Sequence, residues 1–314
     1  MTHLFKLLLG TVALRPYVFI FLSAYLCSST VNFGLRTTLQ FTALTYLVAL
    51  SCEWSSVHNG FPFGLYHYIE STREQELWVA GVPFMDSLSF TFLAFASYTM
   101  ALLVSCPLYR RGIDLRLLDT AELRRAPRVW LLAALFMVMI DFAVDPLSAR
   151  GERWFLGKLF WYDPPGPHFG VPISNYIGWF VVAALSIGIF QRLDSRLGRA
   201  GKPWGIIAGL PSRALLGPAL YVGIVVFALV MLFEIGADEI GWASIFIFVP
   251  FGALVLHIVT RPESYGGASA VERHLADFPF NAAYITLDNN GGSSESRSTP
   301  PLRRPAGRCA NLSA

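Results

Sequence analysis

The sequence predicts an all-α fold, a polytopic membrane helical bundle of about seven transmembrane helices with a disordered C-terminal tail. Three observations lead there. Of the 314 residues, 54% are hydrophobic and 14% charged, with a mean hydropathy of +0.51, too apolar for a soluble domain of this length. The apolar residues come in blocks of about 20, long enough to cross a bilayer as helices. Lys and Arg are distributed unevenly between the connections that alternate along the chain.

Residues 1–15 read as a short amphipathic lead-in. Lys6 before Leu7–Leu9 imitates a signal peptide, but Arg15-Pro16 interrupts the apolar run and no small-residue cleavage site follows. Seven spans come next, over about Pro16–Asn32, Thr38–Val57, Val82–Ser105, Val129–Asp145, Val171–Gln191, Ala214–Ile235 and Ile240–Thr260. They form one membrane domain over 16–262. The tail, 263–314, is expected to be disordered from about residue 280, where NNGGSSESRSTPPLRRPAGR is too polar to bury a core. Cys27, Cys52, Cys106 and Cys309 have no metal or redox spacing and read as packing thiols.

Sorting Lys and Arg by side gives the orientation. The N-terminal side receives 6 (Lys6, Arg15, Arg73, Arg150, Arg153, Lys158), and the other side the remaining 18 of 24. Removing the six tail arginines still leaves 12 against 6. The positive-inside rule then places the C-terminus in the cytoplasm and the N-terminus outside. The net charge of +3 needs no nucleic-acid partner to explain it. The charged, amphipathic connection Arg110–Arg128 is expected to be an interfacial helix on the cytoplasmic leaflet.

Two similar cassettes stand out. Each is a carboxylate-bearing helix end, an aromatic-rich loop, and Gly-Val-Pro opening the next helix. The first runs from Glu53 through Phe61–Tyr68 to Gly81-Val82-Pro83 and Asp86. The second runs from Asp141 and Asp145-Pro146 through Phe160–Pro172 to Asn175. Both fall on the outer side, and proline costs nothing at a helix start because that N–H has no intrahelical partner. The pair reads as a weak internal repeat able to build one site between bundle halves.

Acids beside hydrocarbon are costly and mark chemistry or transport. Glu53, Asp86, Asp141, Asp145, Asn175, Glu234, Asp238 and Glu239 all lie at outer helix ends. Asp238 and Glu239 sit in a turn and read as interface decoration. Asp141 lies one turn deeper than Asp145, on the same face by i,i+4 spacing, where an apolar setting favours the neutral, proton-holding form of a carboxyl. Asp86 and Asn175 stand three residues after their prolines, where an acid also suits the helix dipole. Trp54, Phe61, Phe63, Tyr66, Tyr68, Phe84, Trp154, Phe155, Phe160, Trp161, Tyr162, Phe169, Tyr176 and Trp179 surround these groups. Such rings belong to an interfacial belt, and they can also stabilise a carbocation through their faces.

Several chemistries are poorly served. Six histidines without an HxxxH pattern do not make a di-iron centre, and Asp141-x-x-x-Asp145 has no second Asp-rich segment to complete a magnesium-diphosphate site. No dinucleotide fingerprint or P-loop occurs. A transporter is the non-enzymatic alternative, although its acids would be expected nearer the bilayer midplane.

The run Glu53…Gly60-x-Pro62-Phe63-Gly64-x-Tyr66-x-Tyr68…Gly81-Val82-Pro83 resembles the carotenoid biosynthesis family of membrane carotenoid 1,2-hydratases, which includes γ-carotene and bisanhydrobacterioruberin hydratases. Asp141…Asp145-Pro146…Trp161…Phe169-Gly170-Val171-Pro172-x-x-Asn175-Tyr176-x-Gly178-Trp179 is similar to its second signature. The resemblance covers roughly residues 40–260, with the tail and the Asp163–His168 stretch as departures. It implies cofactor-free, metal-free addition of water to the terminal double bond of an acyclic carotenoid end, giving a tertiary alcohol, in a bacterial cytoplasmic membrane. The partners it implies are an acyclic or monocyclic carotenoid drawn from the bilayer, membrane lipid, and other carotenoid-pathway enzymes. On that reading Asp141 is the acid, Glu53 or Asp145 shares its proton or orients water, and Asn175 and Tyr66 help position it. Trp54, Phe63, Tyr66, Tyr68, Asp86, Trp161, Phe169, Tyr176 and Trp179 would contact substrate. A lycopene-type cyclase needs the same acid and rings but excludes water, and the residues alone leave it open.

Overall fold

The computed structural model describes residues 2–150, 159–197 and 209–285. Ten helices account for most of them. Helix α1 (Thr2–Leu14) leads into seven long helices: α2 (Pro16–Phe33), α3 (Leu35–Asn59), α4 (Phe84–Ser105), α6 (Pro127–Ala149), α7 (Ile173–Leu197), α8 (Leu216–Glu234) and α9 (Asp238–Thr260). The short α5 (Ala121–Arg124) precedes α6, and α10 (Ala268–Asp277) follows α9. Six of the seven long helices are long and apolar enough to cross a membrane, so the chain is an integral membrane protein. The remaining one, α3, has the length, but Gln40, Thr42, Thr45, Ser51 and Glu53 lower its apolarity.

Helix α4 is the axis of the bundle. It packs against α2, α3, α6 and α8, and almost every residue from Met85 to Leu103 is buried. Small side chains on it (Ala94, Ala96, Ser97, Ala101) let neighbours approach, and α8 comes close enough at Gly217 that a Cβ there would collide with Thr99. Helix α9 lies at the periphery against α8 and α6 and exposes Trp242, Phe246, Val249, Leu254 and Leu256, as a lipid-facing helix should.

Three two-stranded antiparallel sheets sit at the ends of the bundle. At one end β1 (Tyr66–Tyr68) pairs with β6 (Phe160–Tyr162), and β2 (Trp78–Val79) pairs with β3 (Val82–Pro83). At the other end β4 (Leu108–Arg111) pairs with β5 (Asp114–Leu117). This hairpin and the one-turn α5 replace the interfacial helix expected over Arg110–Arg128. The reason is local: Gly112 adopts φ +61° in a two-residue turn between Arg111 and Asp114, a conformation that closes hairpins and stops helices. Ser212 ties the hairpin to α8, its N–H donating to Asp114 Oδ1 at 2.7 Å.

Two other boundaries differ from the sequence reading. Helix α6 continues through Pro146 to Ala149 instead of ending at Asp145, so Pro146 is a helical residue in its last turns. After α9 the chain folds back, and Ala270, Val271 and Ile285 close a small core with Leu118 of the hairpin end. Of the expected disordered tail, residues 280–285 are ordered in this way and 286–314 lie outside the described residues.

Candidate functional site

The two cassettes meet. Strand β1 belongs to the first and β6 to the second, and their pairing sets Tyr66 opposite Tyr162, His67 opposite Trp161 and Tyr68 opposite Phe160. Because side chains alternate along a strand, Tyr66, Tyr68, Phe160 and Tyr162 point to one face, toward the bundle. His67 and Trp161 stack on the other face, with ring centroids 4.7 Å apart. The Phe-Gly step of each loop has its glycine at nearly the same positive φ, +99° at Gly64 and +98° at Gly170, although Gly170 also opens its Gly-Val-Pro and Gly64 lies well before Gly81. Ser174 at the start of α7 donates to the Phe63 carbonyl at 3.2 Å, and Ser56 accepts from the Phe63 N–H at 2.9 Å. Phe63 is thus fixed between α3 and α7, against Gly178, where any Cβ would strike its ring.

Under this lid the polar groups converge in two connected sets. In the first, Glu53 of α3 accepts from Ser87 and, at 3.5 Å, from Tyr68, whose hydroxyl also donates to Asp86 Oδ2 at 2.7 Å. Tyr66 and Tyr68 share a hydroxyl contact of 3.2 Å. In the second, the Asn175 amide donates to Asp141 Oδ2 and Asp145 Oδ2, both at 2.6 Å, and Tyr162 donates to the same Asp145 oxygen at 3.0 Å. Asp141 is fully buried, and its Oδ1 has no hydrogen-bond partner among the described residues. Two carboxyls held by one amide nitrogen in an apolar helix pair repel as dianions and are stable when they share a proton.

Glu53, Tyr66, Tyr68, Asp86, Asp145 and Asn175 line a chamber of about 40 Å³ together with Phe63, Phe90, Phe160, Tyr162 and Trp179. Asp141 does not line it and supports Asp145 from one turn deeper. A second, apolar chamber of about 90 Å³ adjoins the first between α2, α4, α6 and α8. Tyr17, Phe21, Met85, Leu93, Phe227 and Ala228 wall it, and Asp86, Phe90, Asp145, Phe160 and Trp179 are common to both.

Outside the helices, burial and the adjacent Glu53 charge raise the Tyr66 hydroxyl well above the ordinary phenol range. Burial and Asp86 do the same for Tyr68, and burial and Asp145 for Tyr162. All three hydroxyls therefore act as hydrogen-bond donors. Burial also lowers His168, whose ring nitrogen meets the Tyr176 hydroxyl.

Five of the thirteen expected site residues stand outside the chambers: Asp141, one turn deeper, and Trp54, Trp161, Phe169 and Tyr176. Trp54 follows Glu53 by one position, about 100° around the helix, and lies 46% exposed against His58. Trp161 is turned away by the strand alternation and is 42% exposed. Tyr176, one position after Asn175, stacks on Phe142, and Phe169 packs on His168. Trp179 is four positions after Asn175 and so shares its face. Glu234, Asp238 and Glu239 are exposed and take no part. Trp154 and Phe155 lie outside the described residues. Sequence reasoning left out Ser87 and Phe90 and did not single out Phe160 and Tyr162; the period-two pattern of Phe160-Trp161-Tyr162 was the available signal. Among the described residues no three His, Cys, Asp or Glu side chains are grouped to hold a metal ion.

A family model described as "Carotenoid biosynthesis protein" matches residues 3–250, which include both chambers. No curated protein and no solved structure matches the chain.

Proposed function

The chain belongs to the family of carotenoid biosynthesis proteins, and from that premise we propose that it is a hydro-lyase of the carotenoid 1,2-hydratase type. It adds water across the terminal trisubstituted double bond of an acyclic carotenoid end. The observation that carries the reading is the junction of the two chambers: an apolar slot for hydrocarbon opens onto a cavity of carboxyls and hydroxyls, with Asp145 at the boundary. On the measure by which one water needs about 10–15 Å³, the polar chamber holds roughly three waters and the apolar one roughly six to nine such groups, enough for an isoprene unit.

An isolated alkene is a poor base, so a neutral carboxylic acid must deliver the proton while the developing cation is shielded. In this reading Asp145 protonates the less substituted alkene carbon, and the cation forms at the tertiary carbon. Asp141, hydrogen-bonded through Asn175, keeps a proton on the pair but does not itself touch substrate. This shifts the acid from Asp141, the sequence expectation, to its neighbour at the chamber wall. The faces of Phe90, Phe160 and Trp179 border the cation. Across the chamber Glu53, Asp86 and Tyr68 hold the water whose oxygen attacks, and one of these carboxylates takes its surplus proton. The proton gained by the alkene and the one lost by water balance, and no cofactor is consumed. The carboxyl chamber lies at the end opposite the arginine-rich hairpin, which in this reading faces the cytoplasm of a bacterium.

The test is pigment analysis by mass in a host that makes acyclic carotenoids. A gain of one water's mass, abolished by Asp145→Asn, is the expected result. A new ring at unchanged mass would replace hydration with cyclisation, and unchanged pigments would remove the enzymatic reading altogether.

A further inference from the structure

At the opposite end of the bundle, a partly open cavity of about 60 Å³ is bounded by the hairpin, α4, the start of α8 and the folded-back segment after α9. Three arginines and one histidine line it. Arg124 donates to Asp119 Oδ2 at 2.5 Å and lies over the Phe278 ring at 4.4 Å. Arg213 donates to Asn281 Oδ1 at 2.9 Å. His274 contacts the Asp119 main-chain oxygen through Nδ1 at 2.6 Å, and its Nε2 faces the Asn281 amide nitrogen at 2.9 Å. Burial opposes the Asp119 charge, but Arg124 and His274 outweigh it and hold the carboxyl well below its ordinary range.

Arg116 differs from the others. It is 4% exposed, its Nε donates to Asp114 Oδ2 at 2.7 Å, and its guanidinium lies over the Tyr284 ring at 4.8 Å. Its Nη1 is buried without a hydrogen-bond partner among the described residues. Among the described residues, three guanidiniums face two carboxylates, Asp114 and Asp119, a locally positive setting. A buried, unsatisfied charged donor is costly, and a guanidinium fork matches an oxyanion. With one water-sized sphere needing ~10–15 Å³, the space holds roughly four to six, room for the five heavy atoms of a tetrahedral oxyanion.

We propose that this cavity is a phosphate-binding site, in which Arg116 and Arg213 grip a phosphate group supplied either as a free anion or as the headgroup of an anionic phospholipid. It is separate from the carboxyl chambers. His274, Asn281 and Tyr284 lie beyond the residues matched by the family model, so part of the site belongs to this chain's C-terminal extension.

The test uses the full chain purified in nonionic detergent. Its thermal midpoint is titrated with inorganic phosphate against chloride at matched ionic strength, and native mass spectrometry counts bound phospholipid. A saturable rise with phosphate, weakened about tenfold or more in Arg116→Gln and unchanged in the exposed control Arg111→Gln, supports a free anion. A one-to-one phospholipid adduct lost in Arg116→Gln supports the headgroup. Arg116→Lys, which keeps the charge and loses the fork, falls between. Neither a phosphate response nor a phospholipid adduct in the wild-type chain overturns the site, and that arm decides even if Arg116→Gln does not fold.

Discussion

Asn175 holds Asp145 at 2.6 Å with the same amide nitrogen that holds Asp141 at 2.6 Å, so one side chain on α7 sets the spacing of two carboxyls on α6. Asn175→Ala removes that link, leaving Tyr162 on Asp145 and the direct contact of the two carboxyls with each other. If the proposed hydration is the activity, it should fall about tenfold to a hundredfold, the equivalent of ~1–3 kcal/mol for losing a buried hydrogen-bond partner of a charged group. Asn175→Gln, whose longer side chain can still donate, should recover part of it. Product formation per folded protein in isolated membranes measures both.

Gly178 lets α7 approach the Phe63 ring, and the Gly178→Ala side chain has no space there. The substitution should lower stability by about 1–3 kcal/mol, the usual range for overpacking a tight contact, and disturb the chamber wall with it. Pairing it with Phe63→Leu should restore much of the thermal midpoint. A double variant no better than Gly178→Ala would show that the contact is not the cause.

The tyrosine set predicts a basic limit to stability. Tyr66, Tyr68 and Tyr162 are raised by burial first and by neighbouring carboxylates second. A group raised on folding adds stability that is fully present below its unfolded value, about 10 for tyrosine, and loses it as pH climbs toward the folded value. The thermal midpoint should be flat through neutral pH and fall above about 10. Phenolate absorbance from these residues should appear together with unfolding. Replacing the three with Phe should flatten that fall.

Asp119 predicts the acid limit at the other end. Its carboxyl is depressed on folding, chiefly by Arg124 against the opposing effect of burial. Its contribution is therefore complete above the unfolded value of about 3.9 and is lost as pH drops through the folded value. Asp119→Asn should cost about 3–5 kcal/mol at neutral pH, as expected for breaking a buried ion pair. The gap from wild type, read as a difference in thermal midpoint, should hold down to about pH 5 and narrow below about 4.

Part of the site is legible in the amino-acid sequence. Helix-end acids are conspicuous beside hydrocarbon, so Glu53, Asp86, Asp141 and Asp145 can be picked out by composition alone, and Asn175 by its place after Gly-Val-Pro. The aromatic residues are not separable in the same way, because an interfacial belt and a chamber wall use the same rings. Trp54 and Trp161 face outward, whereas Phe160 and Tyr162 face in, a choice made by helical phase and strand alternation. The Arg110–Arg128 connection misleads for a related reason: its charges suit a surface helix, but one glycine at positive φ folds it as a hairpin.

The sequence by itself determined that the chain is a membrane-embedded helical bundle, because block length and apolarity are properties of local segments. It also determined that acids gather toward one end and arginines toward the other. Only the tertiary structure decided which acid meets the chamber. Asp141 and Asp145 share a helical face and cannot be ranked by spacing, and their ranking came from the pairing of β1 with β6 and from Asn175, contacts made across about 30 to 90 residues of chain. The cavity around Arg116 was hidden in the same way, since its arginines read as topology signals until the hairpin, α8 and the segment after α9 closed over them.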